Sequence, residues 1–314
     1  MAKYLVTGGA GFIGCNLTRF LLGEGHEVTV LDNFATGKRE NLVRILNRIE
    51  LIEGDIRDRP AVDEAVAGCT AVFHEAALGS VPRSVKDPVT SHDVNVNGTL
   101  NVLEAARAAG VRRVIFAASS AAYGNRAESP KRESMEPLPA SPYAASKVAG
   151  EAYMQAYAAV YGMETLSLRY FNVFGPCQDP YGPYAAVIPA FVSRLLRGDR
   201  PVVYGDGGQS RDFCYIDNVI QANWKAANAP AEACDGRPVN IACQDSTTLN
   251  EILDQLRELL GVDVEAEYAD KRPGDVRHSL ADISLAREKI GYEPTHYFAE
   301  GLAQAIDWYR DNLG

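Results

Sequence analysis

The chain opens with short apolar runs alternating with stretches of helical period. Residues 4–6, 28–31, 71–73 and 114–117 are short, largely apolar runs of strand length, whereas 12–22, 97–109 and 144–161 repeat their apolar positions every three to four residues. Continuous apolar strands are buried on both faces, and parallel strands need a covering crossover. The pattern therefore predicts an α/β fold of the doubly wound, Rossmann type. Beyond about residue 171 the rhythm loosens. Proline and glycine become frequent (Gly175-Pro176, Gly182-Pro183, and glycines at 205, 207 and 208), and two more helical stretches follow at 249–260 and 299–309. The division expected is a dinucleotide-binding domain over 1–172, rejoined by about 211–242, and a smaller α/β substrate lobe over 173–314.

Composition narrows the class. At 314 residues the chain can bury a large core, and 46% hydrophobic with 23% charged residues is ordinary for a globular protein. A net charge of −10 argues against a nucleic-acid or anionic-membrane surface, since polyanions need a basic footprint. A small anionic ligand needs only a few placed arginines. The six cysteines (Cys15, Cys69, Cys177, Cys214, Cys234, Cys243) form no metal-type cluster, so no metal is expected. They fit a reduced, cytoplasmic setting better than a disulfide framework. The first strand starts at Lys3, and no apolar run is long enough to span a bilayer, so neither a signal peptide nor a membrane span is expected.

Two constellations carry chemistry. Gly8-Gly9-Ala10-Gly11-Phe12-Ile13-Gly14 lies between the first strand and the first helix. Alone, such a turn is often just a tight connection. Here Asp32 ends the second strand about 20 residues on, where a carboxylate can accept from ribose hydroxyls while the pyrophosphate faces the helix N-terminus. Asn33 and Phe34 offer no cation for a 2′-phosphate, so the cofactor expected is NAD. Asp55 and Ile56 would flank the adenine, although a polar loop end explains them nearly as well.

The second constellation is Tyr143 and Lys147, four apart after Ser141-Pro142, a serine cap and a first-turn proline. A free phenol is a poor base, with a pKa of about 10. A neighbouring ammonium, a positive nicotinamide and a helix N-terminus would favour the phenolate. Ser119, and equally Ser120, follows the strand over 114–117 at the carboxyl end of the sheet, where doubly wound folds place their chemistry.

Beyond these residues, Ala76-Ala77-Leu78-Gly79-Ser80-Val81-Pro82-Arg83-Ser84, Asn95-Val96-Asn97-Gly98-Thr99, Ser119-Ser120-Ala121-Ala122-Tyr123-Gly124 and Tyr143-Ala144-Ala145-Ser146-Lys147 stand in order along the chain. Leu168-Arg169-Tyr170-Phe171-Asn172-Val173, Ser210-Arg211-Asp212-Phe213 and Arg272-Pro273-Gly274-Asp275-Val276-Arg277-His278-Ser279 follow. With the glycine motif, these runs resemble the extended short-chain dehydrogenase/reductase family, and within it the UDP-hexose 4-epimerases, especially those acting on UDP-N-acetylglucosamine.

The resemblance implies a Ser119, Tyr143 and Lys147 triad. It implies cofactor contacts from the glycine motif, Asp32, Asn33, Asp55, Ile56, Ala76, Ala77, Asn95 and Tyr170, with Asn95 supporting the site and Tyr170 beside the nicotinamide. Asn172 would hold the phosphate side of the substrate, and Arg211 and Arg272 would clamp its diphosphate, as guanidinium forks suit phosphate oxygens. Gly79, Ser80, Ser120, Ala186, Val187, Tyr204, Asp275 and Ser279 complete the implied substrate side. Without the surrounding motifs, each arginine would be read as a solvated surface charge.

The reaction implied is C4 epimerisation through a transient 4-keto sugar, in a homodimer joined by helices near 91–109 and 143–161. Relatives that dehydrate or decarboxylate carry carboxylates just after the catalytic serine or threonine; here Ser120-Ala121-Ala122 has none. A hexose-only 4-epimerase remains the alternative within enzymes, and a non-catalytic NAD-binding regulator the alternative outside them. Ser279 stands where hexose-only members carry tyrosine, and with Gly79 and Ala186 it would leave room for a 2-acetamido group. Ala121 and Cys15 replace serines usual among such chains; the first is expected to alter sugar contacts, the second nothing.

Overall fold

The computed structural model describes residues 1–180, 186–271 and 277–313. Its first half is a repeated strand–helix alternation: β1 (Lys3–Thr7), α1 (Phe12–Gly23), β2 (Glu27–Asp32), β3 (Glu50–Glu53), α2 (Arg59–Val66), β4 (Ala71–His74), α3 (Val81–Lys86), α4 (Pro88–His92), α5 (Gly98–Ala108), β5 (Arg113–Ser119), α6 (Pro142–Tyr161) and β6 (Glu164–Tyr170). These strands and a seventh, Asp235–Ile241, form one sheet in the order Asp235–Ile241, β6, β5, β4, β1, β2, β3. Every pairing in it is parallel. The order reverses between β1 and β4, and the loops above their carboxyl ends open onto the crevice where such folds bind ligands.

The two-residue period of the strands divides the core. Tyr4, Val6, Val28, Val30 and Phe73 face one side of the sheet, together with α1. Leu5, Leu31, Val72, Val114 and Phe116 face the other, packed with residues of α2, α5 and α6. The first of these cores continues into the C-terminal half, where Ile252, Leu256, Leu302 and Ile306 join it from the helices Leu249–Leu260 and Phe298–Leu313. Among the described residues, no helix is long and apolar enough to cross a membrane.

Helix α6 is placed by its ends and by one ion pair. Ser141 accepts from the Ala144 N–H at 3.1 Å, Pro142 occupies the first turn, and Gly162 ends the helix in the left-handed region at φ 66°. Glu151, one turn beyond Lys147, forms a two-pronged pair with Arg169 of β6 at 2.8 and 2.7 Å. Both side chains are almost fully buried (2% and 3% exposed), so neither charge can turn to water. The pair fixes the face of α6 that carries Tyr143 and Lys147 over β5 and β6.

Candidate active site

The glycine turn has the shape of a dinucleotide cradle. Gly8 sits at φ 70°, and a Cβ there would come within 2.8 Å of the Ala76 backbone; a Cβ on Gly14 would lie 2.2 Å from the Gly8 carbonyl oxygen. Only hydrogen fits at either position, and that brings β1, α1 and the segment after β4, including Ala76 and Ala77, close together. Asp32, 7% exposed, accepts from the N–H groups of Ala10 and Phe34 at 2.9 and 2.8 Å. These bonds fix its carboxylate beside the turn, and burial outweighs them to push its pKa up.

Asn33 donates to Asp55 at 2.8 Å, and Arg57 grips the same carboxylate at 2.9 and 2.7 Å, which holds it down at about 2. Ile56 is packed into the core. One cation that the residues after Asp32 did not suggest does approach: the Arg39 guanidinium stacks 4.0 Å over the Phe34 ring, paired with Glu53 at 2.6 Å. The buried Asp32 carboxylate still stands where a 2′-phosphate would be repelled. The turn and the carboxylate together fit NAD. Asp32→Ala should weaken NAD binding roughly ten- to a hundredfold, the worth of charge-assisted hydrogen bonds to ribose, as read by NAD titration calorimetry.

Beside the turn lies a cavity of about 560 Å³ lined in part by Phe12, Ile13, Gly79, Ser119, Ser120 and Ala121, and by Tyr143, Tyr170, Asn172, Gln178, Arg211 and Ser279. Ser119 ends β5 with its hydroxyl accepting from the Ala121 N–H at 3.2 Å, and it lines the cavity together with the Tyr143 phenol. The backbone N–H of Tyr143 donates to Ser84 at 3.0 Å, tying the start of α6 to α3. Burial pushes the phenol above its ordinary value, and the nearby Ser119 hydroxyl draws it part of the way back. Lys147 does not counter this directly. Its ammonium donates to the Ala117 carbonyl at 2.7 Å and lies 4.8 Å over the Phe116 ring, with burial lowering it to about 8. The protein by itself therefore keeps Tyr143 neutral.

Asn95 sits in a π-helical turn, Asp93–Asn97, of the kind that re-aims a side chain. It accepts from the Leu78 N–H at 2.8 Å and donates to Ser146 at 3.0 Å, so the 76–80 segment and α6 are held together through one amide. Asn172, in the left-handed region at φ 26°, donates to the Asp212 carbonyl at 2.9 Å. Arg211 and Ser279 face each other in register on adjacent short strands, which brings both to the cavity. Ser80 caps α3, accepting from Arg83, and Gly79 has open space where a Cβ would stand.

Ala186 caps the helix Val187–Leu196 and is exposed; neither it, Val187 nor Tyr204 lines the cavity. Arg272 and Asp275 lie outside the described residues. Three participants gave no sequence signal. Glu75 accepts from Tyr170 at 2.9 Å, Asn223 donates to that same phenol at 2.8 Å, and burial lifts the Glu75 carboxyl to about 7. Gln178 also reaches the cavity from a loop. Cys15, expected to do nothing, accepts from Arg19, as does Cys177.

The comparisons with known proteins agree across the whole chain. The UDP-glucose 4-epimerase of Mycolicibacterium smegmatis is 39% identical over 318 residues, covering 98% of this chain and 99% of that one. The UDP-N-acetylglucosamine 4-epimerase of Methanobrevibacter ruminantium, solved with UDP-N-acetylmuramic acid, superposes with a TM-score of 0.93 at 40% identity over 99% of this chain and 98% of that one. The UDP-glucose 4-epimerase of Thermus thermophilus, solved with NAD, superposes with a TM-score of 0.88 at 39% identity over 99% of both chains. Residues 4–242 match the NAD dependent epimerase/dehydratase family. With that match, a cradle where only glycine fits and a cavity beside it lined by both a tyrosine and a serine, this chain belongs to the NAD dependent epimerase/dehydratase family and is an NAD-dependent enzyme.

Proposed function

We propose that the enzyme inverts C4 of a UDP-hexose, acting on UDP-N-acetylglucosamine and its C4 epimer and also on UDP-glucose and UDP-galactose. The observation that carries the reading is the make-up of the cavity. Tyr143, Ser119 and Arg211 line it together, and none of its described lining residues is a carboxylate. Elimination of water or loss of carbon dioxide needs further acid and base groups, whereas epimerisation needs one. The relatives named above include 4-epimerases of both kinds of sugar.

NAD, when bound, supplies the acceptor and donor of hydride at C4. Tyr143 takes the proton of the 4-hydroxyl and later returns it, and Ser119 bridges the phenol and the sugar oxygen. Burial makes the neutral phenol the resting form, so its loss of a proton is tied to positive charge arriving with the cofactor. Lys147, held between Ala117 and the Phe116 ring, keeps its ammonium in place for the cofactor ribose. Arg211, with Arg272 from outside the described residues, anchors the diphosphate. The 4-keto sugar then turns about that anchor and presents its other face. Ser279 and Gly79 leave the sugar end wide enough for an acetamido group. Residues 1–172 with about 211–242 would serve the cofactor, and 173–314 the UDP-sugar.

The test is incubation with UDP-N-acetylglucosamine and, separately, UDP-glucose, without added reductant, followed by separation of the sugars. The C4 epimer of each should form with no lasting change in nicotinamide absorbance. Formation of neither epimer would remove the reading, and a product that has lost water would reassign the reaction.

We further propose a cytoplasmic homodimer. Val85 and Val89 are 64% and 77% exposed on α3 and α4, and Val89 lines a hollow with Pro88, His92, Ala145 and Ala149. Apolar side chains clustered this way suit a partner surface. Val89→Asp should halve the mass in light scattering after gel filtration, and an unchanged mass would place any interface elsewhere.

A further inference from the structure

Two cysteines that the reaction does not use meet beside the cofactor turn. Cys15 lies in the first turns of α1 and is fully buried; Cys177 lies in the loop after Gly175-Pro176, at φ 71°, and is half-buried. One nitrogen of Arg19 reaches both sulfurs, at 3.1 Å from Cys177 and 3.7 Å from Cys15, which gathers the two thiols around one guanidinium. Their surroundings are organised. Asn16 donates to the Pro176 carbonyl at 3.0 Å and to the Phe12 carbonyl at 2.9 Å, so α1 and the 175–178 loop are already joined. The Cys15 thiol donates to the same Phe12 carbonyl at 3.4 Å. Phe12 and Gln178, the residues flanking this pair, both line the cavity.

The asymmetry of the pair defines roles. The neighbouring Cys15 thiol and the Arg19 guanidinium lower the pKa of Cys177, and that of Cys15 is pushed up by Cys177 and by burial. The thiolate is the nucleophile of thiol chemistry, and a cation beside a partly accessible sulfur is the setting that makes one. The other four cysteines are all buried.

We propose that Cys177 and Cys15 form a thiol–disulfide exchange site, with Cys177 attacking and Cys15 resolving, that takes a small disulfide of the glutathione type as its oxidant. The Cys177 thiolate attacks one sulfur of the small disulfide, whose S–S bond breaks, and the departing thiolate takes a proton from water. Cys15 then loses its proton and attacks the Cys177 sulfur, expelling the second small thiol, which is protonated in turn. Two protein thiols are oxidised to one disulfide, and one small disulfide is reduced to two thiols. The bridge covalently joins the cofactor helix to the loop bearing Gln178. Because that loop borders the cavity in which the sugar must turn, the bridged form is slow.

The site is tested on the NAD-loaded enzyme by incubation with glutathione disulfide, intact mass, and peptide mapping without reduction. The wild type should lose two hydrogens and yield a linked Cys15–Cys177 peptide. Cys15→Ser should accumulate a glutathione adduct on Cys177, and Cys177→Ser should give neither product. Alkylation of Cys177 by iodoacetamide should outpace that of the other cysteines at least about tenfold. A wild-type mass that stays unchanged, a bridge between other cysteines, or an adduct undiminished in Cys177→Ser overturns the proposal. These readouts follow sulfur alone, so they stand whether or not the enzyme epimerises the sugars named above. The fall in turnover on bridging, reversed by dithiothreitol, is the arm that rests on that function.

Discussion

Tyr143→Phe should cut C4 epimerisation by roughly a hundred- to ten-thousandfold, the usual worth of a positioned acid–base group. The substitution removes one oxygen and little else. The ring keeps its place at the start of α6, whose geometry rests on the Ser141 cap, the Ser84 contact to the backbone of residue 143, and the buried Glu151–Arg169 pair. NAD should stay bound, since the glycine turn and Asp32 are untouched. The check is steady-state turnover on either UDP-sugar, paired with the NAD content of the purified variant. Loss of turnover with NAD retained places the phenol in the chemistry. A rate near that of the parent would remove Tyr143 from it and shift attention to other protic groups of the cavity wall.

Ser279→Tyr should separate the two substrates. Ser279 pairs in register with Arg211, so a bulky ring at 279 would intrude into the cavity beside the proposed diphosphate anchor. A clash with a 2-acetamido group discriminates far more strongly than a lost contact. Turnover of UDP-N-acetylglucosamine should fall at least about a hundredfold while UDP-glucose stays within a few-fold of the parent. Equal loss on both sugars would mean that position 279 is not the gate and that the ring has disturbed Arg211 instead.

Much of this was legible in the chain because the signals are local. The parallel sheet follows from short, largely apolar runs at 4–6, 28–31, 71–73 and 114–117, each of which lies inside a strand of the sheet. The cap of α6 follows from Ser141-Pro142, and the cradle from three glycines and a carboxylate at a set distance. Other features depend on partners far apart in sequence. The strand β3 carries glutamates at both ends and is only half-buried, so its apolar signal is faint. The pair Glu151–Arg169 looks like two ordinary charges until folding buries them together. Glu75 falls between the end of β4 and the run that begins at Ala76, and nothing there reveals its partner Tyr170 or that phenol's other partner Asn223. The expected help of Lys147 to the phenolate illustrates the same limit. Spacing places the two residues one helical turn apart, but whether the ammonium turns toward the phenol or toward the Ala117 carbonyl is decided by β5, which the spacing does not include.

The seventh strand of the sheet has a consequence for how the molecule is made. Asp235–Ile241 pairs along β6 and completes the flank on which Arg169 and Tyr170 stand. A chain emerging from the ribosome presents all the cofactor-binding glycines early, but a long further stretch must be synthesised before β6 gains its outer neighbour. Until then β6 is an open edge with unpaired backbone groups, a template for joining other nascent chains. Synthesis of the glycine turn and final closure of the sheet are thus separated in time, and a fragment ending soon after β6 retains that sticky edge.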